Sequence, residues 1–348
     1  MKLPVLAWIL ILLLCSGAAK AQENSILKWL RTANDSNYVE DHTNDLTVRL
    51  LGTRKYTYWD MRDNRIDEEV RYRPNASNNV GFGFNYKWLG LNFAFDLPFI
   101  NNDDDKYGKT KFLDLQSHLY LRKLAVDFYA QYYKGFYEAA DAKSAVVIPA
   151  ISFRPDIINR DLGLNVQYIF NDERFSYRAA FLQNEYQKKS AGSFLAGAEV
   201  FVWEMRGDSA LAPVAAQEDG FYDGLPFTRT SQLSLAVNAG YAYTLVIAKH
   251  FFVTASLAGS VGANRTVFRF GDGRPRESGF NWQLNRTVRF AAGYNSSYYY
   301  FGVHYTDMST RGGTPVPRTS QTFGTGNLRL SIVKRFKLKK TILPAIFK

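Results

Sequence analysis

Residues 232–247 constrain this chain more than any other stretch. The odd positions are apolar: Leu233, Leu235, Val237, Ala239, Tyr241, Tyr243, Leu245 and Ile247. Between them lie mostly small or polar residues, among them Gln232, Ser234, Asn238 and Thr244. A helix, with its repeat of about 3.6, would mix the two sets; a strand puts them on opposite faces. After Ala248-Lys249-His250 the alternation resumes at Phe251, Val253, Ala255 and Leu257. A tight turn therefore joins two long strands. Soluble strands average about 5–6 residues, whereas a tilted membrane-crossing strand needs about 9–11. Length, alternation and tyrosines near one strand end predict a transmembrane hairpin with its apolar face toward lipid.

The N-terminus fits export. Met1-Lys2, an apolar run over residues 3–14 and the small-x-small site Ala19-Lys20-Ala21 predict a signal peptide over residues 1–21. Leu14 is too bulky for a lipoprotein site before Cys15. Cleavage after Ala21 removes Cys15, the only cysteine, so no disulfide framework is expected. No later run reaches about 18 apolar residues, which argues against a helical span. A mean hydropathy of −0.25 is compatible with a barrel, whose strands offer only alternate residues to lipid. The 22 Tyr and 26 Phe suit interfacial girdles. The net charge of +11 fits contact with anionic lipopolysaccharide or an anion-attracting lumen. Nucleic acid is not an expected partner of an exported chain.

The expected fold is all-β, an antiparallel up-and-down transmembrane β-barrel over residues 44–338. A periplasmic segment at 22–43 precedes it, with a short amphipathic turn around Trp29, and a tail at 339–348 follows. Alternating segments are read at 46–50, 79–86, 91–96, 113–122, 124–133, 161–170, 175–181, 192–203, 232–247, 251–258, 282–294, 299–305 and 328–336. A barrel with both termini on one side needs an even number, and these make thirteen. Short turns usually face the periplasm, and that rule places the fault between residues 172 and 249. Either 192–203 lies outside the wall, giving twelve strands, or the loop 205–226 hides another, giving fourteen; twelve is favoured. The acidic loop 101–105 lacks the ligand spacing of a Ca²⁺ loop and reads as a solvated tip.

If the apolar parity faces lipid, the other parity lines a lumen. That places Arg49, Asp114, His118, Arg122, Asp127, Arg178, Arg289, His304, Arg329 and Arg335 inside. Buried charges need partners or water, so Asp114 and Asp127 are expected to neutralise Arg122 or Arg178. A salt-bridged plug and a conducting, anion-leaning pore both remain open. His304 and Thr306 share a strand face and distantly resemble the His-x-Ser pair of outer-membrane acyl hydrolases. Thr stands for Ser, however, and His304 faces the lumen. Residues 187–193, with Lys188, Lys189, Ser190 and Gly192, read either as an anion-binding turn or as a plain tight turn. No spacing suggests a metal or cofactor.

Several phrases in order carry a family likeness: Tyr132-Tyr133-Lys134-Gly135-Phe136-Tyr137, Arg154-Pro155-Asp156, Arg174-Phe175-Ser176-Tyr177-Arg178-Ala179-Ala180-Phe181, Gln187-Lys188-Lys189-Ser190-Ala191-Gly192-Ser193-Phe194 and Gly240-Tyr241-Ala242-Tyr243-Thr244. The chain resembles the domain-of-unknown-function family numbered 4421, exported proteins of Gram-negative bacteria. The resemblance implies an envelope location and a mostly β fold, and no activity. The leading expectation is an outer-membrane pore, transport or structural protein with a net basic lumen. Its expected partners are outer-membrane lipid and lipopolysaccharide, the barrel-assembly machinery and a small anionic solute. A lipid- or lipopolysaccharide-modifying acyl hydrolase using His304 and Thr306, and a secreted soluble β protein, are the alternatives.

Overall fold

The computed structural model describes residues 33–86, 89–96, 101, 103–139 and 152–338. The expected signal peptide, the turn around Trp29 and the tail 339–348 lie outside the described residues. The strands are β1 (Val39–Asp41), β2 (Leu46–Asp63), β3 (Glu68–Arg73), β4 (Asn78–Tyr86), β5 (Leu89–Asp96), β6 (Lys111–Tyr120), β7 (Leu124–Ala139), β8 (Phe153–Ile169), β9 (Glu185–Gln187), β10 (Ala191–Arg206), β11 (Phe227–Ile247), β12 (Phe251–Phe270), β13 (Glu277–Asn295), β14 (Tyr299–Gly313) and β15 (Thr319–Phe336). Two short helices, α1 (Asp104–Tyr107) and α2 (Val214–Glu218), lie in loops.

An antiparallel barrel closes through ten strands in the order β2, β15, β14, β13, β12, β11, β10, β8, β7, β3 and back to β2. Three more wall strands stand off this ring. β4 pairs with β2 and β5 with β4, while β6 pairs with β7. The expected count of twelve is corrected accordingly. The pairing also shows why. β3 and β4 run down the same edge of β2, on residues 59–63 and 47–54 respectively. Pro74 follows β3 directly, where its missing N–H and fixed φ break the run.

The side chains settle which face is which. Leu235 and Val237 are 59% and 63% exposed, whereas Ser234 and Asn238 beside them are 1% and 6%. The apolar face looks away from the protein and the polar face into it. A soluble sandwich would do the reverse. At the tight end of this hairpin Ala248 and Lys249 both take left-handed φ, 47° and 70°, the twist a very short hairpin turn requires. Toward the long-loop end the pattern inverts. On β2 Trp59 and Met61 are buried inside, and on β12 Phe268 is buried between exposed Arg265 and Arg269. Each wall therefore has an apolar outer belt and, beyond it, a polar exterior over an apolar core.

Two inward-folded segments fill the barrel. At the short-turn end residues 170–190 leave the wall and pack inside it. Phe175, Tyr177, Ala180 and Phe181 are buried against Tyr120, Phe252, Tyr300 and Val333. Residues Arg178–Leu182 form a π-helical turn, closed by Gln183 at φ 60°. β9 then pairs with β1, so the segment before the barrel is tied into this inner plug. Two expectations are overturned here. Residues 175–181 are not a wall strand, and 192–203, placed outside the wall, lies inside β10, paired with β8 and β11.

At the long-loop end, residues 207–226 fold into the mouth; they hide no further strand. Leu211, Phe221 and Tyr222 join Trp59, Tyr72, Trp203 and Phe268 in one apolar cluster. Tyr222 donates its hydroxyl to the Ser320 carbonyl at 2.7 Å and its N–H to Asp63 at 3.0 Å. Burial alone would raise the Asp63 carboxyl; the guanidinium and N–H of Arg65, with that N–H of Tyr222, outweigh it and hold the acid below its ordinary value.

Candidate functional site

Between the plugs the lumen carries a closed polar network. Asp127 and Arg289 form an ion pair with both side chains fully buried. Asp127 also meets His118 Nδ1 at 2.7 Å and accepts from Asn165 at 3.0 Å. Arg289 donates to Gln167 at 2.9 Å, Gln167 to Asn238 at 3.0 Å, and Asn238 to Asn165 at 3.0 Å, which completes a ring. These charges face the barrel interior, and their partners differ from the expected ones. Arg122 and Arg178 both face Glu185, at 3.0 and 3.2 Å. Asp114 stands 3.6 Å from Lys55 and takes the Tyr133 hydroxyl and Gln131 amide. Arg178 belongs to the inner plug and not to the wall.

A second group of cations is built differently. Arg49 on β2 and Arg329 on β15 project inward beside the C-terminal end of the π-helical turn. Arg49 donates to the Leu182 carbonyl at 3.2 Å, and Arg329 to the Phe181 carbonyl at 2.8 Å. Arg335 is spent on the Gln183 carbonyl at 2.8 Å and on Asn295 Oδ1 at 2.9 Å. Among the described residues no carboxylate lies within 4.0 Å of Arg49, Arg329 or Arg335, and Arg49 Nε is buried without a partner. Carbonyl dipoles at a helix C-terminus offset only part of such charge.

Arg49 and Arg329 border a cavity of about 350 Å³. Its lining includes Lys55 and Thr53 of β2, Asn92 and Ala94 of β5, Gln116, Ser117 and His118 of β6, and His304 and Thr306 of β14. The structure thus brings together Arg49, His118, His304, Thr306 and Arg329 from the expected residues; Arg178 lies in the inner plug, and Arg335 of β15 and Arg122 of the β6–β7 turn reach into it. Lys55 was missed, because the expected first strand stops at residue 50 whereas β2 runs on to Asp63.

His304 is not arranged as a base for Thr306. Arg329 donates to its Nδ1 at 3.1 Å, which requires a lone pair there. Nε2–H is then left to meet the Tyr300 hydroxyl, itself donated to the Ala180 carbonyl at 2.9 Å. Both ring nitrogens are engaged, and His304 is buried behind the wall. Residues 187–192 form a braced turn. Lys188 Nζ donates to the Ser36 carbonyl at 2.6 Å, Lys189 lies over the Tyr38 ring, and Ser190 Oγ accepts the Val246 N–H at 2.9 Å. Neither these residues nor Gly192 line the cavity.

The family model described as "Domain of unknown function (DUF4421)" matches residues 33–336. No curated protein matches the sequence. Among solved structures, the chain is similar to the outer membrane protease OmpT from Escherichia coli, at 8% identity and a TM-score of 0.37, covering 85% of this chain and 98% of that one. The P. putida toluene transporter TodX is 8% identical with a TM-score of 0.23, covering 88% and 95%. The outer-membrane expressed OmpT of Vibrio cholerae is 9% identical with a TM-score of 0.27, covering 82% and 98%.

Proposed function

The chain belongs to the family described as Domain of unknown function (DUF4421), and from its own geometry we propose an outer-membrane barrel that is shut along its axis and binds a small anionic ligand in the side cavity. The apolar belt supports the membrane setting. In it the tight turns and both barrel termini face the periplasm and the long loops face outward. Lipid and lipopolysaccharide surround the belt and the basic outer rim, where Arg265 and Arg269 are exposed.

The carrying observation is the pair Arg49 and Arg329, inward-facing beside a half-open cavity and answered by carbonyls and, for Arg329, by the neutral His304 ring, with no carboxylate within 4.0 Å among the described residues. A buried guanidinium without a counter-charge costs several kcal/mol. A phosphate or carboxylate in the cavity supplies that charge through charge-assisted, bidentate hydrogen bonds. The packed lumen and two plugs argue for binding over passive conduction, as barrels of this width fill with side chains.

Purified protein in a planar bilayer is expected to give no stepwise conductance at either polarity. Calorimetric titration with inorganic phosphate is expected to show binding that Arg329→Gln weakens by about tenfold or more. Sustained open-channel currents, or phosphate affinity indifferent to Arg329, would overturn the reading.

A further inference from the structure

The barrel wall has a seam. Among the described residues no backbone pairing joins β5 to β6, although each is paired on its other side, to β4 and β7. β3 spans from β2 to β7 only at residues 71–73, which meet 137–139 near the long-loop end. Below that bridge one edge of β5 faces one edge of β6. In a bilayer an unpaired N–H or C=O costs several kcal/mol, so a stable membrane barrel keeps such edges only where something polar serves them.

The cavity described above reaches this seam. Asn92 and Ala94 on the inner parity of β5 line it and are exposed, so the inner face of that strand is uncovered. Ser117, on the outward parity of β6, lines it as well. The chemistry changes sharply from outside to inside. Phe93, Phe95, Leu113 and Leu115 form exposed apolar lips. Arg49 and Arg329 wait at the inner end without carboxylates. A free small anion needs only the inner end; apolar lips leading to cations match a molecule with both properties. The space, about 350 Å³, holds a head group and the first part of a chain.

We propose that the ligand is an anionic amphiphile that enters sideways from the bilayer between β5 and β6, its head group on Arg49 and Arg329 and its acyl chain lying in the seam. The head group and any bound water then serve the open strand edges. This rests on the cavity being an anion site, as proposed above, and adds the ligand's class and its route.

The test compares two probes, dodecyl phosphate and inorganic phosphate, by calorimetric titration of the full protein in non-ionic detergent. Heat-modifiable gel migration checks the fold of each variant. Dodecyl phosphate is expected to bind at least about tenfold more tightly than inorganic phosphate, through its buried chain. The double variant Phe93→Ser, Leu115→Ser, on the apolar lips and outside the cavity lining, should weaken dodecyl phosphate by about tenfold or more and leave inorganic phosphate unchanged. The double variant Arg49→Gln, Arg329→Gln should weaken both. Equal affinity for the two probes, with the lip variant neutral, would overturn the sideways route and leave the anion site standing. Dodecyl phosphate binding untouched by the double arginine variant would mean adsorption on the outer belt and would also overturn it. Failure of both probes to bind the unaltered protein would bring down the anion site itself.

Discussion

Arg289→Ala is expected to destabilise the folded barrel by about 3–5 kcal/mol, because it leaves the Asp127 carboxylate buried without its cation. The loss spreads further than one pair. Gln167 loses its donor, and the ring through Asn238 and Asn165 opens. Urea unfolding in micelles, followed by tryptophan fluorescence, reads the change. Asp127→Asn alone should also destabilise, since Arg289 is then the uncompensated group. The double variant Arg289→Met, Asp127→Leu should recover much of the loss, because apolar replacement of both partners removes the desolvation penalty as well. If Arg289→Ala were neutral, water would have to reach the centre of the lumen, and the packed interior would be wrong.

The second large effect is on the outer belt. Val237→Arg places a guanidinium near the middle of the apolar stretch of β11, where 63% of the valine is exposed. An arginine at that depth costs about 2–4 kcal/mol in a barrel, falling to about 0–1 near the interfaces. Arg265, outward on β12 and beyond the belt, is tolerated for that reason. Refolding into vesicles should show Val237→Arg strongly destabilised and a control such as Val267→Arg, next to the native Arg265 level, nearly neutral. Equal behaviour at both positions would mean that no bilayer surrounds the belt.

Period two made the belt readable, since residues 232–247 and 251–258 alternate without interruption where lipid meets one face. It failed where the inside of the barrel is apolar too. On β10 Leu195 and Trp203 point inward to meet the plugs and a stacked Phe323, and Phe201 points inward to Tyr129, while Ala196 and Ala198 thin the outer face. Counting residues 175–181 as wall is what pushed 192–203 out of it under the rule that short turns share one side. Residues 175–181 alternate as well as any wall strand but bury their rings inside. Alternation says that two faces differ and is silent on whether the greasy one meets lipid or a neighbour. Length was the available signal: that run is shorter than the about 9–11 residues a crossing needs. The upper half of β2 was lost to the same inversion, with Trp59 and Met61 inside and Asp60 and Arg62 outside.

Of the site, the inward placement of Arg49, His118, His304 and Arg329 followed from parity alone. Their partners did not. Glu185 and the carbonyls of residues 180–183 come from a segment whose position no local pattern encodes. Lys55 and the seam depend on how β3 and β4 share one edge of β2, a long-range pairing invisible in either strand.

The most direct test is a spin-label scan through residues 233–239 in lipid vesicles, feasible because Cys15 is the only native cysteine and can be replaced by Ser. Labels at Leu233, Leu235, Val237 and Ala239 should be relaxed by oxygen, which dissolves in the bilayer, and hardly by a water-soluble nickel chelate. Labels at Ser234, Ala236 and Asn238 should be reached by neither. Odd positions shielded from oxygen, or open to the chelate, would contradict a barrel whose apolar face lies in lipid.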